Sequence, residues 1–441
     1  MSSTTIDIIG AGISGLATAY YLNQLDYDLS IRVWEKNGEP GGLAGTFVTE
    51  DFSVEKFYHH IFTKDTDLQE LIAELKLSDQ LVWKPAITGG YYNNKSFRLS
   101  SPADLLKFSP LSFINRLRLG LLVLHARSVK DWRKLDDIPV KEYILRYAGK
   151  QVYSVLWEPL LKGKFGKHAD NISAAWLWCK LVDRGGTRDM KGREVLGYLK
   201  GGLGKLFNKI IKQLESKNVE FHFNALVEKM ESNNGKVISS IKIDGENIKT
   251  DGVICCSQVP DIAKTLPPSL KKYQESLNSI EFLANVCLIL ILRRSLSEFY
   301  WTNVTDLEAP FVGIIEQTNW ANIDEFNQKH VVYISAYVTS DDTRLTMDPE
   351  ALLDFYFPHI KKHFPEFSRN DIIDSYLWKA PYTQPIVQVG YRHLIPDIRT
   401  PLDNMFVCTM AQIYPQDRQV SNGIAMAKKT TQCVNDWLDR K

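Results

Sequence analysis

An α/β protein built from two interleaved domains is what this sequence predicts, and three observations predict it. The chain has 441 residues, whereas single hydrophobic cores stop growing at roughly 250–300 residues, so two domains are expected. A short apolar run at 6–9 ends in a glycine-rich turn, followed by a helical stretch and a second run of β-formers at 29–34. Buried-strand and helix patterns of the same kind return in the middle and near the end of the sequence. The chain therefore crosses between the domains several times.

Taken in order, 14–25 reads as a helix, with Leu16, Ala19, Tyr20 and Leu22 at helical spacing. Leu68, Leu71, Ile72 and Leu75 predict an amphipathic helix over 65–77. The stretch 89–99 resembles a hairpin through Tyr91-Tyr92-Asn93-Asn94-Lys95. From 102 to about 193 the pattern is mostly helical and rich in Trp and Leu, punctuated near its end by Gly185-Gly186 and just beyond it by Gly201-Gly202. A helix is expected over 203–214, and strands over 219–223, 227–228, 237–243 and 253–256. Asn233-Asn234-Gly235 reads as a turn. Strands at 284–292, 311–315 and 331–338 predict a second sheet. A helix over 349–364, a short strand over 405–409 and a helix over 423–438 complete the reading.

Lys plus Arg number 53 against 52 Asp plus Glu, so the molecule has no overall field to attract nucleic acid. The six cysteines contain no Cys-x-x-Cys pair, and Cys255 and Cys256 point to opposite faces of a strand. A zinc site or disulfide framework is not expected, and a reducing, cytoplasmic location fits. No basic and apolar leader precedes the first strand. The segment 105–129 is apolar, but Arg116, Arg118, His125 and Arg127 interrupt it. It reads as a packed helix or a peripheral membrane contact, not as a span.

The glycine turn is Gly10-Ala11-Gly12-Ile13-Ser14-Gly15, and Glu35 lies at the end of the following strand. That context is the Rossmann-like dinucleotide fingerprint. Gly10 permits the tight turn, Gly12 lets the backbone approach a pyrophosphate, and Gly15 lets helix and strand pack closely. The helix N-terminus offers amides and a partial positive charge to phosphate, and Glu35 is placed to accept from ribose hydroxyls. A second glycine cluster, Gly41-Gly42-Leu43-Ala44, comes closely after the acid and favours an extended ligand, FAD, over NAD.

Here the chain resembles the superfamily of flavin amine oxidases, protoporphyrinogen oxidases and phytoene-type desaturases, with UDP-galactopyranose mutases as near relatives. The resemblance continues through Lys56-Phe57-Tyr58-His59-His60-Ile61-Phe62, Gly201-Gly202-Leu203-Gly204, Val227 and the strand ending at Cys256. It closes with Asp403 to Met410 and with Val420 to Ala427. It implies a Rossmann-like FAD-binding domain (1–95, 195–282 and 385–441) and an α+β substrate domain with a helical insert (96–194 and 283–384). Leu43 stands where many amine oxidases have arginine, and Met410-Ala411-Gln412 replaces their usual glycine and acid.

The resemblance implies cofactor contacts at Gly10, Gly12, Ile13, Ser14, Gly15, Glu35, Lys36, Gly41, Gly42, Leu43 and Ala44. It extends them to His59, His60, Val227, Cys256, Met410, Asp417, Val420, Gly423 and Ile424. His59, His60, Tyr382 and Arg418 are the candidate catalytic residues. No metal is expected, and the partner is a small-molecule substrate. Trp176 and Trp178 read as core, while Lys162 and Lys164 are either solvated or meet an anionic substrate. The expected activity is FAD-dependent removal of hydride from a C–H or C–N bond, with oxygen or another acceptor reoxidising the flavin. A non-redox sugar-nucleotide mutase is the alternative.

Overall fold

The computed structural model describes residues 3–441 except 94, 184–187 and 190–192. Asn94 of the expected hairpin and the Gly185-Gly186 punctuation therefore lie outside the described residues.

Two large sheets organise the chain. The first has five parallel strands in the order Glu220–His222, Leu29–Trp34, Thr4–Ile9, Gly252–Cys255 and Met405–Val407. Ile9 lies level with both Trp34 and Cys255. Thr4–Ile9, the middle strand, thus delivers the glycine turn to the carboxyl edge of the sheet, where open α/β sheets bind their ligands. The first helix runs over Ile13–Leu22, starting one residue before its apolar pattern and stopping three residues before that pattern ends. It packs against the final helix, Val420–Leu438, which begins three residues before the expected start. Cys255 and Cys256 do face opposite sides, one toward each of two apolar cores.

The second sheet has seven strands, in the order Ile372–Pro385, Phe282–Leu292, His330–Val338, Gly313–Glu316, Trp301–Val304, Thr88–Tyr92 and Lys95–Arg98. All neighbours are antiparallel except Trp301–Val304 with Thr88–Tyr92. The hairpin that opens at Thr88 therefore belongs to this sheet, although most of it was expected with the first domain. Phe282–Leu292 is buried along nearly its whole length, as a central strand covered on both faces must be. One face of the sheet carries Val286, Leu288 and Leu290 against the Pro349–His363 helix. The other turns Cys287, Ile289 and Tyr333 toward Phe47, Phe62 and Tyr58 of the nucleotide half.

Smaller sheets join the halves, among them Ile61–Phe62 with Val195–Leu199 and Leu81–Pro85. The helical insert runs from Pro102 to Asp183 and includes Phe113–Ser128, Glu158–Phe165 and Ala174–Asp183. Among the described residues no helix is long and apolar enough to cross a membrane, and no cluster of three or more His, Cys, Asp or Glu side chains is arranged to hold a metal.

Candidate cofactor and substrate site

The glycine turn is built as a close-packed corner with one gap. A Cβ on Gly15 would sit 1.9 Å from the Gly10 carbonyl oxygen, and one on Gly41 would sit 2.7 Å from the Gly45 Cα. Gly10 and Gly41 both have left-handed φ, +105° and +107°. Gly12 differs, because a Cβ there would meet nothing within 4 Å. Glycine thus stands at a position where the protein itself leaves room, which is what a ligand pressed against the backbone requires. The first helix has Gly12 as its N-cap and no side-chain cap, so its leading amides have no side-chain acceptor and face that space.

The second glycine cluster lies on top of the first. Gly41 N–H donates to Ala11 O at 2.9 Å, and Gly12 and Gly41 form an isolated bridge. Glu35 is 6% exposed. Its carboxylate accepts from Ala11 N–H at 2.9 Å, and from the backbone and side-chain amides of Asn37 at 2.9 and 2.7 Å. It therefore ties the glycine turn to the strand end, while a carboxylate retains acceptor capacity for a ribose hydroxyl. Ala225 N–H donates to Glu35 O, which brings the strand starting at buried Val227 beside this corner. Gly423 lets the final helix dock, since a Cβ would meet Ile13 at 2.9 Å and Met410 sulfur at 3.4 Å. Ser14, Val420 and Ile424 are buried in the same seam, Ala44 is buried nearby, and Leu43 stays partly accessible.

The Tyr58-His59-His60 segment reaches the large sheet. Tyr58 meets the Trp301 ring edge-on at 4.9 Å. His59 Nδ1 lies 2.7 Å from Phe57 O. A carbonyl only accepts, so Nδ1 carries the hydrogen and Nε2 keeps its lone pair. Burial, aided by the Arg418 charge and opposed by the Phe57 bond, lowers the His59 pKa to about 4. His60 Nδ1 lies 3.1 Å from Tyr300 OH. Tyr58, His59 and His60 keep accessible surface although burial dominates the Tyr58 and His59 ionisations. All three are thus partly covered and not sealed from the surface.

Beyond them lies a cationic cluster that spacing alone does not reveal. Lys164 Nζ sits 5.0 Å from the Tyr337 ring centroid, 5.3 Å from Trp176 and 5.4 Å from Phe165. No carboxylate of the described residues lies within ion-pair distance of it, and burial pushes its pKa well below the usual lysine value. Arg418 donates to Thr383 O and, at 3.0 Å, to Tyr337 OH. Its Nε and the Trp176 Nε1 are buried without an acceptor. Asp417 pairs with Lys180; burial opposes its ionisation, but Lys180 and Lys164 outweigh it and hold the carboxyl well below the usual range.

Several expectations are revised. Tyr382 leaves the site: its OH lies 3.2 Å from Lys264 Nζ on the outer side of its strand, because the alternation that turns Thr383 inward turns its neighbour out. Lys36 is exposed and pairs with Asp261, and the Asp417 carboxylate is committed to Lys180. Tyr414, in the loop after the last strand, is buried on Asp136 and Ser173. Cys256 packs beside Gly15 and Cys408. Lys162 pairs with Glu158 at the surface. Trp178 packs with its indole on Ala126 O, as core, whereas Trp176 lines the site.

A dinucleotide turn with an open backbone approach thus lies on the five-stranded sheet, and the aromatic and cationic side chains described above gather against the seven-stranded one. The chain belongs to the flavin containing amine oxidoreductase family, whose profile matches residues 13–416. It is 26% identical over 222 residues to a coproporphyrinogen III oxidase of Staphylococcus aureus, a match covering 47% of this chain and 45% of that protein. The matched stretch thus spans under half of that relative. Two solved structures share the fold. A candidate protoporphyrinogen oxidase from Exiguobacterium sp. 255-15 superposes with a TM-score of 0.80 at 17% identity, covering 100% of both chains. Reduced UDP-galactopyranose mutase gives 0.77 at 15% identity, covering 98% of this chain and 96% of that one.

Proposed function

We propose that this protein is an FAD-dependent oxidoreductase that takes hydride from a C–H or C–N bond of a partly apolar substrate bearing an acidic group. The observation that carries the reading is Lys164, a half-buried amine ringed by Phe165, Trp176 and Tyr337 with no carboxylate of the described residues paired to it. A partly desolvated cation left unpaired is costly, and an anionic ligand offsets that cost. The unpartnered Nε of Arg418 and Nε1 of Trp176 add donors and no acceptors. Those three groups match a carboxylate or phosphate.

FAD, when bound, would supply the hydride acceptor. The residues around the glycine turn fit it: free helix amides, space above Gly12, and a carboxylate at the strand end. Tyr58 packs edge-on against the Trp301 and Tyr333 rings and gives this side of the site an apolar wall. His59, neutral at pH 7, presents Nε2 as an acceptor that orients a substrate N–H or O–H. With a pKa near 4 it is a weak base, so its part is alignment more than proton removal. Lys164 and Arg418 hold the acidic group.

The mutase reading draws on the same cations, which suit a sugar diphosphate, and on the shared fold. One experiment separates the two. Purified flavin-loaded protein is mixed anaerobically with carboxylated amines or porphyrinogens, with their methyl esters, and with a UDP-sugar. Bleaching of the visible flavin band by the acids, much slower with the esters, supports the oxidoreductase. Sugar isomerisation only after dithionite reduction supports the mutase. Equal bleaching by acid and ester overturns the role given to Lys164.

A further inference from the structure

The Phe113–Ser128 helix is apolar on both sides. Leu119, Leu122 and Ala126 face the core and are at most 5% exposed. On the opposite side Phe113, Ile114, Leu117, Leu121 and Leu124 are 63%, 66%, 47%, 59% and 60% exposed. At about 100° per residue these five fall within an arc of roughly 100°, a continuous outward stripe. Single exposed apolar residues are ordinary, but an aligned row marks a contact surface. The rim is basic. Between residues 107 and 134 there are seven Lys or Arg, at 107, 116, 118, 127, 130, 133 and 134, against one acid, Asp131. The whole chain carries a net charge of only +1, so this concentration is local.

We infer that this helix docks the protein on an anionic lipid surface, with the stripe sunk in the interface and the arginines and lysines among the headgroups. Its length of about 24 Å and its packed inner face make it lie in the plane and not span. A second copy of the chain fits worse, because two-fold pairing would set two basic rims against each other with one acid apiece. The docked helix also touches the site's own scaffold. Trp178 Nε1 donates to Ala126 O at 2.8 Å, and Trp178 lies on the Ala174–Asp183 helix that carries Trp176 and Lys180.

The test is flotation of the full, flavin-loaded chain with vesicles of phosphatidylcholine alone or with about one third phosphatidylglycerol. Leu117→Glu/Leu121→Glu and Arg118→Glu/Arg127→Glu are compared with wild type; all four positions are exposed, so the fold and thermal midpoint should hold. The expected result is flotation of wild type with the anionic vesicles, at least about tenfold less with either variant, and a loss of binding at high salt. Wild type that floats no better than the variants overturns the proposal. So does a concentration-dependent dimer, seen by light scattering and abolished by Leu117→Glu/Leu121→Glu, without vesicle binding.

Discussion

The carbonyl oxygen of Gly10 occupies the place a side chain on Gly15 would need, 1.9 Å from an ideal Cβ. Gly12, in the same turn, has no such neighbour. The two glycines therefore predict different failures. Gly15→Ala should prevent the first helix from seating and leave little soluble, folded protein. Gly12→Ala should fold with an unchanged thermal midpoint and lose bound flavin, by about tenfold or more in affinity, because the methyl group fills the backbone approach. Circular dichroism and the visible flavin spectrum check the pair. Normal flavin content in Gly12→Ala would refute this placement of the pyrophosphate.

His59 gives a pH dependence. Its folded pKa of about 4 lies below the ordinary histidine value of 6.5, first because of burial. The unfolded chain then binds the extra proton first, so stability is intact above pH 6.5 and is lost as pH falls from there toward 4. Between pH 7 and pH 4.5 wild type should lose about 2 kcal/mol more than His59→Gln, read by urea denaturation. Equal losses would show an ordinarily titrating ring.

Asp65 runs the other way. It is 4% exposed, and burial raises its pKa to about 6 although Phe62 N–H donates to it at 2.8 Å. The folded state holds the proton more tightly, so the associated stability is present at low pH and lost as pH rises through about 6. Asp65→Asn keeps an acceptor for Phe62 and removes the buried charge. It should stabilise the protein by about 1–2 kcal/mol at pH 8 and by almost nothing at pH 4, again read by urea denaturation.

Tyr414 donates to Asp136, a carboxylate with no exposed surface that also takes Ser173 Oγ at 3.2 Å. Tyr414→Phe should cost about 2 kcal/mol and lower the thermal midpoint. Because the Tyr414 hydroxyl bonds to Asp136 and Ser173 and to neither Lys164 nor Arg418, KM should be unchanged.

The nucleotide corner was legible because its chemistry is local: Gly10, Gly12, Gly15 and Glu35 sit within one strand–helix–strand unit. The 14-residue strand Ile372–Pro385 was not anticipated as one element. It is only half-covered over most of its length, so its pattern lacks strict alternation, and Pro381 argues against a strand. Val195–Leu199 and Leu81–Pro85 are not legible because short apolar runs carry no period. The substrate side was least legible. Lys164, Trp176, Tyr337 and Arg418 come from a helix, a second helix, a strand and a loop. Only packing brings them together, and nothing in their spacing records it. Tyr382, chosen for its place near the return to the first sheet, shows the converse error: one position along a strand reverses a side chain's direction.

The five-stranded sheet draws its members from residues 4–9, 29–34, 220–222, 252–255 and 405–407. During translation the opening β-α-β hook must wait through nearly four hundred further codons before its outermost neighbour emerges from the ribosome. The proposed vitamin-derived dinucleotide would thus be captured only after synthesis, and the waiting apolar strands are natural clients for chaperones. Nascent chains stalled ahead of Met405 should come off the ribosome colourless.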